Sequence, residues 1–421
     1  MKRFHIFGRL SIKALAPVLL IALAGASAVR AEEQNGGLPG DWLSHYASAR
    51  SMGIGGAFVA AADEPLGAVW NPAGLSAMWQ NALHFETIRL FEDTAINGFS
   101  LGMPASKYPS FGFTVLALSS GDFERTNDLN EPEGTFNVGE MAFLFSAAKN
   151  LTPEFAVGAN VKLAHQSIID FSGTGTGIDF GAMYNVTPAL RIGASLLNVG
   201  GPRLTMRTTG EKYPAEFRTG VAYYLFGDRG LIAAEVDHRS GFGATLHGGS
   251  EFWVHRTLAL RFGFDDVQPA GGLSARIGEA LRLDYGVSDH ELGVTHRIGI
   301  AYQFGGFFAS SEANPSIFSP IGEQSVTRFN LKAKAKYDIR TWRLEITDKS
   351  DQVVRSFSGS GAPPSHVMWD GKSEVGFSLP DGVYSFWLIV EDEEGHEVVG
   401  PVRHVEITTA GPQGAVPVVV Q

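Results

Sequence analysis

His296-Arg297-Ile298-Gly299-Ile300-Ala301-Tyr302-Gln303-Phe304 decides the fold. Successive side chains of an extended strand point to opposite faces, so Ile298, Ile300, Tyr302 and Phe304 share one face and Arg297, Gly299, Ala301 and Gln303 the other. The same alternation recurs upstream. Leu281, Leu283, Tyr285 and Val287 oppose Arg282, Asp284 and Gly286; Leu258, Leu260, Phe262 and Phe264 oppose Arg261, Gly263 and Asp265; Phe217, Thr219, Val221 and Tyr223 oppose Arg218, Gly220, Ala222 and Tyr224. One face suits lipid and the other a polar interior, which is the pattern of a transmembrane β-barrel. A soluble sandwich also alternates, but its polar face meets water and can be crowded with Lys and Glu. Here that face is rich in Gly and Ala with isolated Arg and Asp, which implies that something is packed inside.

Working outward, the periodicity predicts an all-β chain with about fourteen antiparallel strands. They fall at Ala82–Phe91, Ile96–Met103, Ser110–Leu118, Val138–Ala148, Phe155–Gln166, Gly177–Val186, Leu190–Asn198, Ala215–Leu225, Leu231–Arg239, Ala244–Val254, Leu258–Asp265, Leu273–Gly278, Ala280–Ser288 and Thr295–Phe304. An even number brings both barrel ends to the same, periplasmic, side. Connections support the reading: Asn150–Pro153, Thr187–Ala189, Gly227–Gly230, His255–Thr257 and Glu279 are short turns. Ser119–Asn137, Ser167–Thr176 and Val199–Pro214 are expected to be long outer loops rich in Gly, Pro, Thr, Asn and Asp.

Residues 1–31 have the form of a signal peptide. Lys2, Arg3, Arg9 and Lys13 precede an apolar core at Ala14–Leu23, and Ala26-Ser27-Ala28 or Val29-Arg30-Ala31 offers small residues for cleavage. That core is too short to span a bilayer, and export to an outer membrane is the expectation. Removing residues 1–31, with five basic and no acidic side chains, takes the formal charge from −11 to −16, which disfavours nucleic acid. There is no Cys, so neither a lipid anchor on Cys nor a disulfide is available.

Residues 32–80, between the signal peptide and the barrel (81–308), are dense in Gly and Ala, which lets backbone approach backbone inside a narrow lumen. This segment is expected to be an internal plug. Gly53-Ile54-Gly55-Gly56 superficially matches a dinucleotide loop but lacks the flanking strand–helix–strand unit. The string Ala49-Arg50-Ser51-Met52-Gly53-Ile54-Gly55-Gly56-Ala57-Phe58-Val59-Ala60, with Trp70-Asn71-Pro72-Ala73-Gly74-Leu75, resembles the N-terminal signature of the PorV/PorQ outer-membrane proteins, relatives of the FadL transporters. The resemblance covers about residues 40–308 and implies a plugged fourteen-stranded barrel, in some members a partner in type IX secretion. It makes Gly53, Gly55, Gly56, Asn71, Pro72 and Gly74 plug-shaping positions.

Residues 309–322, rich in Ser and Pro, read as a linker, 323–410 as an Ig-like sandwich of six or seven short strands, and 411–421 as a tail. Trp369-Asp370-Gly371-Lys372 and Leu379-Pro380-Asp381-Gly382-Val383-Tyr384 resemble the Ig-like domain of the flagellar hook-capping protein FlgD. Trp369, Asp370, Gly371, Pro380, Asp381, Gly382 and Tyr384 are structural signatures there.

Catalysis has little support. Twelve His are scattered without a zinc-ligand pattern, no nucleophile elbow or P-loop is present, and His247 and Ser250 fall on opposite strand faces. No cofactor or metal is expected. Arg191, Arg218, Arg261, Arg276, Arg282, Asp284 and Arg297 should face the lumen, where they either select an anionic ligand such as a carboxylate or pair with acids of barrel and plug; pairing is favoured. The expected role is export of surface proteins, with secretion components or cargo as partners besides membrane lipid. The alternatives are FadL-like uptake of a hydrophobic molecule near the plug, or linkage of the barrel to the envelope through the Ig-like domain, which would meet a periplasmic partner or peptidoglycan.

Overall fold

A computed structural model describes residues 40, 42–43 and 48–409, except 92, 106–107, 188, 207–208, 227–228, 242, 279, 291, 322–324, 351 and 401. The signal peptide at 1–31, the tail at 411–421 and the turn residue Glu279 lie outside the described residues. The chain divides into two compact units, Met1–Phe304 and Gly305–Gln421.

In the first unit the strands are β1 (Asn81–Arg89), β2 (Ala95–Met103), β3 (Ser110–Thr126), β4 (Pro132–Asn150), β5 (Phe155–Ile168), β6 (Phe171–Thr187), β7 (Leu190–Val199), β8 (Arg203–Met206), β9 (Thr209–Lys212), β10 (Glu216–Leu225), β11 (Gly230–Arg239), β12 (Ala244–His255), β13 (Leu258–Asp265), β14 (Gln268–Ile277), β15 (Leu281–Ser288) and β16 (Thr295–Phe304). All but β8 and β9, which pair with each other, form one closed antiparallel barrel of fourteen strands. It closes where β1 meets β16, with Asn81 opposite Phe304 and Arg89 opposite His296. Both barrel ends therefore lie at the short-turn end. Each of the fourteen predicted strands overlaps one of these.

Facing follows the alternation. Phe85, Phe145, Phe217, Phe262 and Phe264 are 46–64 % exposed, whereas Arg218, Arg261 and Arg297 are at most 1 % exposed. A closed ladder satisfies every strand's backbone while presenting an apolar belt, which is how strands cross a membrane. No helix among the described residues is long and apolar enough to do so.

The long outer loops differ from expectation. Ser119–Asn137 is a two-stranded ribbon, because β3 and β4 stay paired out to Thr126 and Pro132 around a turn at 127–131. Ser167–Thr176 is likewise a hairpin, with Ile168 opposite Phe171, and Val199–Pro214 contains β8 and β9. Beyond the lipid neither face needs to be apolar, so alternation ends while the ladder continues. The start of β14 is hidden for a different reason: Pro269-Ala270-Gly271-Gly272 carries no large apolar side chain, yet it pairs with β13, where Pro269 lies opposite Phe264 and Gly271 opposite Phe262.

Inside the barrel, residues 48–78 fold into α1 (Ala49–Gly53) and two short 3-10 helices, Pro65–Val69 and Pro72–Ala77. The side chains of Ser48 and Asn71 cap their helices by accepting from the N–H groups of Ser51 and Ala73. Phe58, Val59, Leu66, Val69 and Trp70 form a buried core with lumen-facing Ala142, Leu144, Ala164 and Ala222. The plug is thus the core of the barrel.

The second unit is two sheets over one core. One sheet has the order β17 (Phe308–Asn314), β19 (Thr327–Lys334), β22 (His366–Trp369); the other has the order β18 (Ile317–Phe318), β25 (Arg403–Ile407), β23 (Gly382–Asp392), β20 (Ile339–Thr347), β21 (Val353–Ser360), with β24 (Glu397–Val399) on β23. The stretch 309–322, expected as a linker, instead supplies β17 and β18. Its Ser- and Ala-rich composition hides the strands, yet Ala309 and Phe318 are buried in the core. The barrel ends at Phe304, four residues before the expected boundary.

Candidate functional site

Wall and plug meet first through glycines. A Cβ on Gly249 or Gly263 would overlap the backbone of Ile54, and one on Gly158 would overlap that of Pro72 and Ala73. Only residues without side chains allow the plug this close. Gly55, at φ +66°, makes the turn that brings Ile54 against β12 and β13. Gly53 lies against the Arg261 side chain, Gly56 at His247 and Gly74 against the Ala62 carbonyl. Asn71 donates from Nδ2 to the carbonyls of Val59 at 2.9 Å and Ala182 at 3.1 Å, and Pro72 begins the second 3-10 helix. These six positions lie in the plug, at turns, helix starts or close contacts.

Charge makes the second tie. The Arg50 guanidinium from α1 grips Glu251 of β12 with two bonds, 3.0 and 3.2 Å, and also pairs with Asp63 and, at 3.6 Å, Glu64. Glu64 accepts from Arg282 of β15 at 2.7 Å and from Ser48 at 3.1 Å. Arg282 in turn reaches Asp284 at 2.8 Å, while Arg261 of β13 donates to Glu251 at 2.6 Å and, with Ser274, contacts Asp284. Three guanidiniums and four carboxylates thus form one network between plug and wall. Such desolvated charges persist only when paired and hydrogen-bonded. Nearby, Glu86 accepts from the Ala49 N–H at 2.8 Å, at the start of α1, and meets His84 at 3.2 Å.

A second cluster sits deeper. Glu235 accepts from the N–H groups of Phe58 and Val59 at 2.7 and 2.6 Å. Arg218 donates to Glu216 at 2.7 Å, pairs with Asp237 at 3.4 Å and lies 5.4 Å over the Trp70 ring. His247 bridges Asp237 at 3.3 Å and Asp265 at 2.9 Å. Arg297 donates to the hydroxyls of Ser288 and Thr295 near the outer end.

At the short-turn end, plug and wall leave a cavity of about 290 Å³. The plug side gives Arg50, Asp63, Glu64, Pro65 and Met78; the wall gives Arg191, Tyr224, Trp253, Arg276 and Arg282. Of the seven charged residues picked from the sequence, Arg191, Arg276 and Arg282 converge here. Arg218 and Arg297 belong elsewhere, and Arg261 and Asp284 stand behind the cavity in the network. Arg50, Glu64, Glu86, Glu235 and Glu251 escaped the sequence reading, although the four wall or plug acids could have been found as the necessary counter-charges of the arginines.

In the second unit, Trp369 is 1 % exposed, packs among Phe318, Phe329 and Tyr384, and donates from Nε1 to the Lys372 carbonyl at 2.9 Å. Asp370 accepts from the Lys372 N–H at 3.2 Å, and Gly371 turns at φ +73°. Tyr384 donates to the Pro380 carbonyl at 2.7 Å, the tyrosine corner of Ig-like sandwiches. Burial, and then Asp348 and Asp381, raise its pKa, so the donor proton is retained. Asp381, just before Gly382, accepts from Thr409 at 2.8 and 2.9 Å.

Residues 319–398 match the FlgD Ig-like domain family. No curated protein matches the chain. Among solved structures, the barrel is similar to the toluene transporter TbuX of Ralstonia pickettii, at 16% identity over 62% of this chain and 99% of that one, with a TM-score of 0.48. The Pseudomonas putida toluene transporter TodX gives 14% identity, 61% and 97% coverage and a TM-score of 0.46. A Pseudomonas aeruginosa FadL homologue gives 12%, 61% and 98%, and 0.44. The barrel assignment itself stands on the closed strand order and its apolar belt. Among the described residues no group of His, Asp and Glu is arranged to hold a metal.

Proposed function

We propose that this protein is an outer-membrane barrel that takes up a small, partly apolar molecule past a plug, in the manner of FadL-like transporters. The carrying observation is the cavity, because plug and wall both line it, so that binding there senses the position of the plug. Ligand sites favour such concave spaces, with apolar surface and a few convergent polar groups. Residues 1–31 direct export, and the Ig-like unit, following the short-turn end of β16, stands in the periplasm. The role is binding and passage rather than catalysis.

Uptake requires the plug to move, and the chain's lack of Cys makes this testable. Leu75 of the plug packs against Gly112 of β3, where its methyl carbons lie within 3.2 Å of a Cβ position. A Leu75→Cys, Gly112→Cys pair removes those methyls and puts one thiol on each side of this contact. Oxidation of that pair should reduce cellular accumulation of a labelled monoaromatic probe to the level of cells lacking the gene, with recovery on reduction. Equal accumulation with and without the gene would refute uptake.

A second reading, a PorV/PorQ-type partner in export, is favoured by the firmness with which charges hold the plug and by the FlgD-like unit. It expects selective loss of surface and secreted proteins on gene deletion, measured by quantitative proteomics. Linkage of barrel to envelope would instead show as envelope loosening when residues 305–421 are removed.

A further inference from the structure

We propose that the cavity at the short-turn end selects an organic anion, a compact carboxylate with an apolar or aromatic body. This rests on reading the cavity as a ligand site. Its walls carry four guanidiniums, Arg50, Arg191, Arg276 and Arg282, and three carboxylates, Asp63, Glu64 and Glu251. The three acids are already engaged by Arg50 and Arg282, and Glu251 also by Arg261. The lining therefore carries one surplus positive charge, and Arg191 and Arg276 are its two guanidiniums outside these ion pairs.

Neither of these two makes an ion pair among the described residues. Arg191, at the start of β7, donates to Asn185 at 2.9 Å and to the Tyr224 hydroxyl at 3.1 Å, with its guanidinium 5.2 Å from the Tyr224 ring centre. Arg276, at the end of β14, lies 3.7 Å over the Trp253 ring, and its Nη1 reaches the Arg256 carbonyl only at 3.5 Å. An aromatic face fixes the plane of a guanidinium while leaving N–H edges for a planar anion, which lowers the ordering cost of binding. Of the other lumen arginines named from the sequence, Arg218, Arg261 and Arg282 are paired with carboxylates, and Arg297 donates to the hydroxyls of Ser288 and Thr295. Met78, Ala82, Leu231 and Ala301 offer the apolar surface for the ligand's body. At about 290 Å³ the space suits a compact acid.

The experiment titrates the purified full chain in detergent with 4-butylbenzoate and with 4-butylbenzyl alcohol, a neutral molecule of nearly the same shape, by calorimetry and tryptophan fluorescence. The carboxylate should bind at least tenfold more tightly than the alcohol. Arg191→Gln and Arg276→Gln should each reduce that preference, and the double variant abolish it, with the barrel still heat-modifiable in gels. Equal binding of both probes to the wild-type chain would overturn anion selection while leaving a ligand cavity intact. Binding of neither up to millimolar concentration would overturn both. A preference that persists in the folded double variant would remove these two arginines from the role.

Discussion

Arg50 ties plug to wall more heavily than any other plug residue described here, and a single substitution exposes its worth. Arg50→Ala leaves Glu251 and Glu64 buried beside fewer cations, so it should destabilise the folded barrel by about 3–5 kcal/mol, the usual cost of breaking a buried pair from one side. Thermal unfolding in detergent measures it. Arg50→Lys keeps the charge but not the two-pronged grip on Glu251, and should fall between alanine and wild type. Gly263→Val tests the steric tie: its side chain overlaps Ile54 and Gly55, so residues 48–78 should become cleavable by protease in a barrel that still resists it. An equally protected plug would show that the close approach is dispensable. Arg50 of the plug was not legible in the sequence, whereas the wall arginines were, because a charge on a period-two interior face stands out. Their acids were less so, since Glu64 is in the irregular plug and only folding brings it to Arg282, 218 residues away.

At the level of elements, periodicity was legible wherever one face of a strand meets lipid. β13 and β16 coincide with their predicted bounds for that reason. It was lost where both faces meet water, as in the outer part of β3 and β4, and where an edge strand is built from Ser and Ala, as in β17. Those outer ribbons should contribute little to the barrel's integrity, because the ladder from Ser110 to Ser119 already pairs β3 with β4 inside the apolar belt. Replacing 121–137 by a two-residue Asn-Gly turn, which joins the paired Ser120 and Val138, should leave heat-modifiability and melting temperature within a few degrees of wild type. A collapse of folding would mean that the ribbon nucleates the hairpin.

Over the whole molecule, each unit has its own core: plug and wall in the first, Trp369 with Phe318, Phe329 and Tyr384 in the second. The barrel's ladder closes on Phe304 itself, so nothing after that residue is needed for closure. Removing 305–421 should therefore leave a heat-modifiable barrel, while 305–421 alone should be soluble and melt cooperatively. In the full chain the two units should unfold in separate calorimetric steps. Trp369→Ala excavates the centre of one core only, at a cost of about 3–5 kcal/mol. It should lower the Ig-like step and leave the barrel step where it was, whereas a shift of both would show that the two cores fold as one.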